Sequence, residues 1–114
     1  MGMTAQVDGA RAIDPAEQRR VIRELVNFDT SVSARGKMVD LRVLNVSQLG
    51  LMGRMDTRVA KGDKIVIELP QVKSIEAIVR WVEDGRIGTE FVRPISATDY
   101  RLMLIFIPKR QSAW

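Results

Sequence analysis

Six times between Val26 and Phe91 a short run of alternating apolar and polar residues ends in a turn-forming break, and this repetition constrains the fold more than any other feature of the sequence. Alternation with a period of two puts apolar side chains on one face of a strand and polar ones on the other. Val26, Phe28, Thr30 and Val32 make the first run, Val39, Leu41 and Val43 the second, and Leu51 to Met55 a short third. Ile65, Ile67 and Leu69 form the fourth, Ile75, Ala77, Val79 and Trp81 the fifth, and Ile87, Thr89 and Phe91 the sixth. The breaks are Ala34-Arg35-Gly36, the stretch Asn45 to Gly50, the polar loop Asp56 to Lys64, Pro70, and Glu83-Asp84-Gly85. Short strands at this spacing suggest a small antiparallel barrel or sandwich.

The pattern changes at both ends. After Pro94, either Ser96 or Thr98 can cap a helix over Asp99 to Ile107, closed by Pro108 and by the cations Lys109 and Arg110 on the side the helix dipole favours. Leu102 to Ile107 are all apolar, so a strand is the competing assignment for this stretch. As a helix it is expected to be a well-buried lid over an open end of the barrel, although an unbroken apolar run leaves surface for a second copy or a partner. Residues 1–18 are small, polar and aperiodic, with a short helix possible after Asp14-Pro15, and are expected to form a flexible N-terminal segment ahead of a single domain over residues 19–114.

A chain of 114 residues and 12.9 kDa is the size of one domain and long enough to hold a core without covalent staples. With no Cys and no His, the usual zinc sites, iron–sulfur clusters, thiol nucleophiles, Ser-His-Asp triads and imidazole acid–base chemistry are excluded. No convergent carboxylate pair or phosphate-cradling glycine loop is evident, so the expectation is a protein that is not an enzyme and needs no cofactor or metal. No apolar run approaches the ~20 residues of a membrane span, and the first residues lack the apolar block of a signal peptide, which predicts a cytoplasmic protein without a membrane span.

Eighteen basic and 14 acidic side chains give a net charge of +4, unevenly placed. Residues 1–18 carry Arg11 against Asp8, Asp14 and Glu17, a net of −2, so the remainder holds +6. Thirteen of the basic residues are Arg, whose planar fork suits phosphates and guanine edges. Two segments place polar groups where core building does not ask for them. Arg19-Arg20-x-x-Arg23 crowds three guanidiniums that repel one another unless solvent or an anion screens them, so it is either a solvated basic patch or an anion site. Asn45-x-Ser47-x-x-Gly50 offers an amide, a hydroxyl and a glycine that permits positive φ or a close approach by a ligand; an ordinary Asx or Ser turn would read the same way.

In this order and at this distance, RRxxR, a strand pair, NxSxxG, a strand ending in Arg80-Trp81 and then Gly88-Thr89-Glu90-Phe91 resemble the PilZ domain of bacteria. The resemblance runs from about Gln18 to Pro94 and extends to the terminal helix. Arg19 and Arg23 match the family's RxxxR, with Arg20 as an added arginine, and Asn45, Ser47 and Gly50 match its (D/N)xSxxG. The resemblance implies a mainly β fold, a six-stranded antiparallel barrel with a C-terminal helix, that binds cyclic di-GMP, a bacterial second messenger. Carried over, Arg19 and Arg23 contact guanine edges and phosphates with Arg20 assisting, Asn45 and Ser47 hydrogen-bond a guanine, and Gly50 keeps the turn open. Trp81 either stacks on a base or packs in the core; the sequence does not separate the two.

The implied function is a receptor that converts nucleotide binding into a conformational signal to motility, biofilm or exopolysaccharide machinery through a downstream protein partner. At roughly 1.5–3 kcal/mol per charge-assisted hydrogen bond, three or four contacts support micromolar binding, about −8 kcal/mol, after a mobile clamp has been ordered. The alternative is an adaptor that binds protein partners without nucleotide. A barrel that binds nucleic-acid polymers is disfavoured, because the chain has 6 aromatic residues and none after Phe28 alternates with the basic ones as a stacking platform requires.

Overall fold

The computed structural model describes residues 23–108. The expected helix after Asp14-Pro15, the N-terminal segment, Arg19, Arg20, Lys109 and Arg110 lie outside the described residues.

Six strands follow one another as β1 (Glu24–Ala34), β2 (Lys37–Val46), β3 (Gly50–Arg54), β4 (Lys64–Leu69), β5 (Lys73–Glu83) and β6 (Arg86–Phe91), and one helix, α1 (Ala97–Phe106), comes last. They close into a barrel in the order β1-β2-β3-β6-β5-β4, with every neighbouring pair antiparallel. The seam is short: β1 meets β4 through Val32 opposite Ile67 and Ser33 opposite Val66, and the Thr30 hydroxyl adds a bond to the Glu68 carbonyl. Two tight hairpins set the register. Ala34 pairs with Lys37 around Arg35-Gly36, and Glu83 with Arg86 around Asp84-Gly85, with φ of 52° and 79° in the first turn and 51° and 80° in the second. Positive φ at both central positions twists the turn in the sense that antiparallel strands need, which is why a glycine stands second in each.

The inward residues are the ones the alternation marks. Val32, Leu41, Val43, Leu51, Ile65, Ile67, Val79 and Ile87 all fill the barrel almost free of solvent, and Ser47 is the one buried polar residue among those described. At about 25 cal/mol per Å2 of apolar surface, each side chain of this size contributes about 1.5–3 kcal/mol on burial, which holds a closed barrel of this size together.

The terminal segment is a helix, not a strand, and starts two residues earlier than expected because Ser96 caps it: its side chain accepts from the Asp99 amide at 3.1 Å. The expectation of a well-buried lid is corrected. Tyr100, Met103 and Ile107 close the barrel end, while Leu102, Ile105 and Phe106 face solvent. Ten residues of helix present only one side to the barrel, and the apolar run continues around to the other.

Candidate functional site

Three register slips interrupt the ladders, one of them in β1 between Leu25 and Phe28, and the other two turn a polar or aromatic group outward. In β2, Val43 faces Gly53 and Asn45 faces Met52, so Leu44 is an extra residue in the ladder. Without it Asn45 would follow Leu41 and Val43 into the core; with it Asn45 reaches the outer wall and Val46 turns inward. In β5, Val79 faces Thr89 and Trp81 faces Gly88, which leaves Arg80 as the extra residue. Trp81 is therefore 41% exposed and is not a core tryptophan.

The outcome is a continuous outward row across five strands: Leu25, Asn45, Met52, Gly88 and Trp81, each opposite the next. Over this row lies an open cavity of about 370 Å3. Arg23, Asn45, Ser47, Gly50 and Trp81, every proposed site residue that is described, line it together. Met52, Arg80, Gly88, Thr89 and Glu90 line it too, of which Met52 had no sequence signal beyond its place opposite Asn45. Arg80 donates to the Glu90 carboxylate at 2.8 Å, so the extra residue of the β5 bulge is held beside Trp81 at the rim. The Asn45 amide nitrogen reaches the Met52 sulfur at 3.8 Å, and its oxygen is shut off from solvent without a hydrogen-bond partner among the described residues.

Gly50 has a different part from the one expected. It does not stand at positive φ; β3 and β6 approach so closely there that a Cβ would come within 3.1 Å of the Glu90 Cα and nearer still to the Thr89 carbonyl oxygen. The Thr89 hydroxyl bonds the Leu51 carbonyl at 3.1 Å and accepts from its amide at 3.3 Å beside this contact.

Ser47 folds the turn between β2 and β3. Its amide donates to the Gly50 carbonyl at 2.9 Å, its hydroxyl lies 3.4 Å from the same oxygen, and the Leu49 amide donates to the hydroxyl at 3.1 Å. The turn is tied in turn to the chain that leads into α1. The Ile95 amide donates to the Gln48 carbonyl at 2.8 Å, the Gln48 side chain returns a bond to the Ile95 carbonyl at 2.9 Å, and the Phe91 amide donates to the Leu49 carbonyl at 2.7 Å. From the helix, the Tyr100 hydroxyl donates to the Val46 carbonyl at 2.9 Å. Burial, with a smaller push from Glu24, raises the Tyr100 pKa to about 12 and keeps that donor protonated.

Chemically, the wall supplies one cation at the start of β1, a second cation held by a carboxylate, an amide with a free acceptor and an indole. No group of three or more His, Cys, Asp or Glu side chains placed to hold a metal ion occurs among the described residues.

No curated protein matches the sequence. Among solved structures, the PilZ domain of YcgR from Escherichia coli, described with c-di-GMP, superimposes with a TM-score of 0.56 over 79% of this chain and 88% of that one, at 17% identity. The likeness is one of fold: a six-stranded barrel followed by a helix. The family model of the PilZ domain matches residues 17–107, a span that takes in both sequence motifs and the whole barrel, and the chain belongs to the PilZ domain family.

Proposed function

We propose that the chain is a cytoplasmic receptor for cyclic di-GMP, with Arg23, Asn45, Ser47, Gly50 and Trp81 forming the described part of the site and Arg19 and Arg20 completing it. The observation that carries this reading is the buried, unpartnered Asn45 oxygen on the wall of a cavity that also holds Arg23 and Trp81. A buried acceptor without a donor costs about 1–3 kcal/mol, and the N–H groups of a guanine edge are donors that relieve it. Arg23 matches a phosphate or the O6/N7 edge of guanine, and the exposed indole of Trp81 offers a stacking face. Ser47 and Gly50 serve this site by holding the turn and the strand spacing that present Asn45.

The same contacts suggest how binding becomes a signal. Arg23 leads directly into β1, and the Asn27 amide four residues on donates to the Pro108 carbonyl at 3.0 Å, just past α1. Ligand that captures the arginine segment pulls on the strand end to which the end of α1 is tied, and a downstream protein of the motility, biofilm or exopolysaccharide machinery reads the change. The relative described with c-di-GMP supports the choice of ligand.

Isothermal titration calorimetry with cyclic di-GMP, with GTP and GMP as controls, tests this. Micromolar, selective binding that disappears in Arg23→Ala is the expected result. Absence of binding at high micromolar ligand would move the protein to the nucleotide-independent adaptors.

A further inference from the structure

Arg80 reaches the outer wall because it is the extra residue of β5, and only one edge of its guanidinium is engaged. The Nε donates to Glu90 Oε1 at 2.8 Å, while the two terminal nitrogens make no hydrogen bond with a described residue. The Glu90 side chain is 22% exposed and the Arg80 side chain 52%, so the carboxylate is set into the wall and the guanidinium stands out from it at the cavity that both line. A guanidinium gripped at Nε keeps its terminal fork, two parallel N–H donors, and this is the edge that matches two oxygens of a phosphate. Bulges re-aim single side chains in this way beside binding sites.

We infer that Arg80, held by Glu90, binds a phosphate of the ligand at the end of the cavity opposite Arg23. The inference rests on the reading of the site as a receptor for cyclic di-GMP, and it adds a ligand contact outside both sequence motifs. The outward row beneath the cavity starts at Leu25, two residues past Arg23, and ends at Trp81, next to Arg80. Four strand spacings, about 19 Å around the barrel, separate the two ends, and arginines extending from both leave room for a phosphodiester ring between them. Cyclic di-GMP is a dianion with one phosphate on each side of that ring. Among the described lining residues the cations are Arg23 and Arg80 and the one carboxylate is Glu90. Without Arg80, the Trp81 end would offer that carboxylate alone to a dianion; with it, the charge of Glu90 is offset and a free fork is left for the ligand.

The test is calorimetry of the full chain with cyclic di-GMP and with an analogue in which an uncharged formacetal bridge replaces one phosphodiester. For cyclic di-GMP, Arg80→Ala should weaken binding about tenfold or more, and Arg80→Lys, which keeps the charge but loses the fork, should recover only part of the loss. The analogue leaves Arg80 no phosphate once Arg23 has taken the other. The parent should therefore bind it about tenfold less tightly than cyclic di-GMP, and Arg80→Ala should add little to that loss. Arg80 is exposed, so its variants keep the parent's thermal unfolding midpoint. Unchanged cyclic di-GMP affinity in Arg80→Ala overturns the inference. So does an equal loss for analogue and cyclic di-GMP, which puts the contact on a base edge, or full recovery in the Arg80→Ala/Glu90→Gln double variant, which reduces Arg80 to an offset for the carboxylate. In each of these the parent still binds cyclic di-GMP and loses it in Arg23→Ala; a parent that does not bind it overturns the receptor reading itself, and this inference with it.

Discussion

The Trp81 indole occupies the space where a side chain at Gly88 would begin: a Cβ there would lie within 2.7 Å of Cζ2 and closer still to Nε1. Two strands thus seat the ring at the rim, one through the bulge at Arg80 and the other through the absence of a side chain. Gly88→Ala displaces an exposed ring that can rotate away, so stability falls by about 1 kcal/mol or less. Cyclic di-GMP affinity falls further, by about tenfold, the range of one base–aromatic stack. Denaturant unfolding and calorimetry on the same variant separate the two effects, and unchanged affinity would argue that Trp81 has no part in binding.

Gly50→Ala meets a harder neighbour. Its methyl runs into the backbone of Thr89 and Glu90, which cannot move without parting β3 from β6. A loss of about 2–3 kcal/mol in urea unfolding is expected, well above the cost at Gly88. A loss below about 1 kcal/mol would show that the strands can separate freely at this point.

Asn45→Leu removes a buried acceptor that has no partner among the described residues and keeps the branching of the side chain. The ligand-free protein should be as stable as the parent or more stable by about 1 kcal/mol, while nucleotide binding is abolished. Lowered stability combined with intact binding would remove Asn45 from the site.

Tyr100 gives the protein an alkaline limit. Its hydroxyl titrates at about 12 when folded, against an ordinary value near 10, so the folded state holds its proton more tightly than the unfolded one. Between those two values the unfolded chain binds fewer protons, and stability falls as pH rises. The contribution is whole below pH 10 and gone above 12. In Tyr100→Phe this decline should flatten, and at neutral pH the lost bond to the Val46 carbonyl should cost about 1 kcal/mol. Chemical denaturation of both proteins between pH 8 and pH 12 measures it; parallel curves would mean that folding does not shift the Tyr100 pKa.

How far the sequence foretold this molecule depends on where its alternation is kept. From Val39 to Val43 and from Ile65 to Leu69 the period of two holds, and the buried positions can be read directly. Through Leu44 and Arg80 it fails by one residue, and nothing local in either strand announces the slip, since a bulge is chosen by the closure of the whole barrel. Read without the bulges, Asn45 and Trp81 belong inside. The NxSxxG and RRxxR motifs indicated Asn45 and Arg23 as site residues without indicating how they reach one surface. Leu102, Ile105 and Phe106 were legible as surplus apolar residues, but which side of the helix they occupy followed only from where Tyr100 and Met103 dock.

The short seam between β1 and β4 has a consequence for the arginine end of β1. Above Val32, β1 is zipped to β2 along one flank, and at Asn27 its other flank is bonded to Pro108 instead of to β4. The residue just past the helix thus stands in for a missing stretch of strand. Amide exchange at Asn27 consequently reports on two things at once, since whatever loosens the tail of α1 also unlatches the strand that carries Arg23.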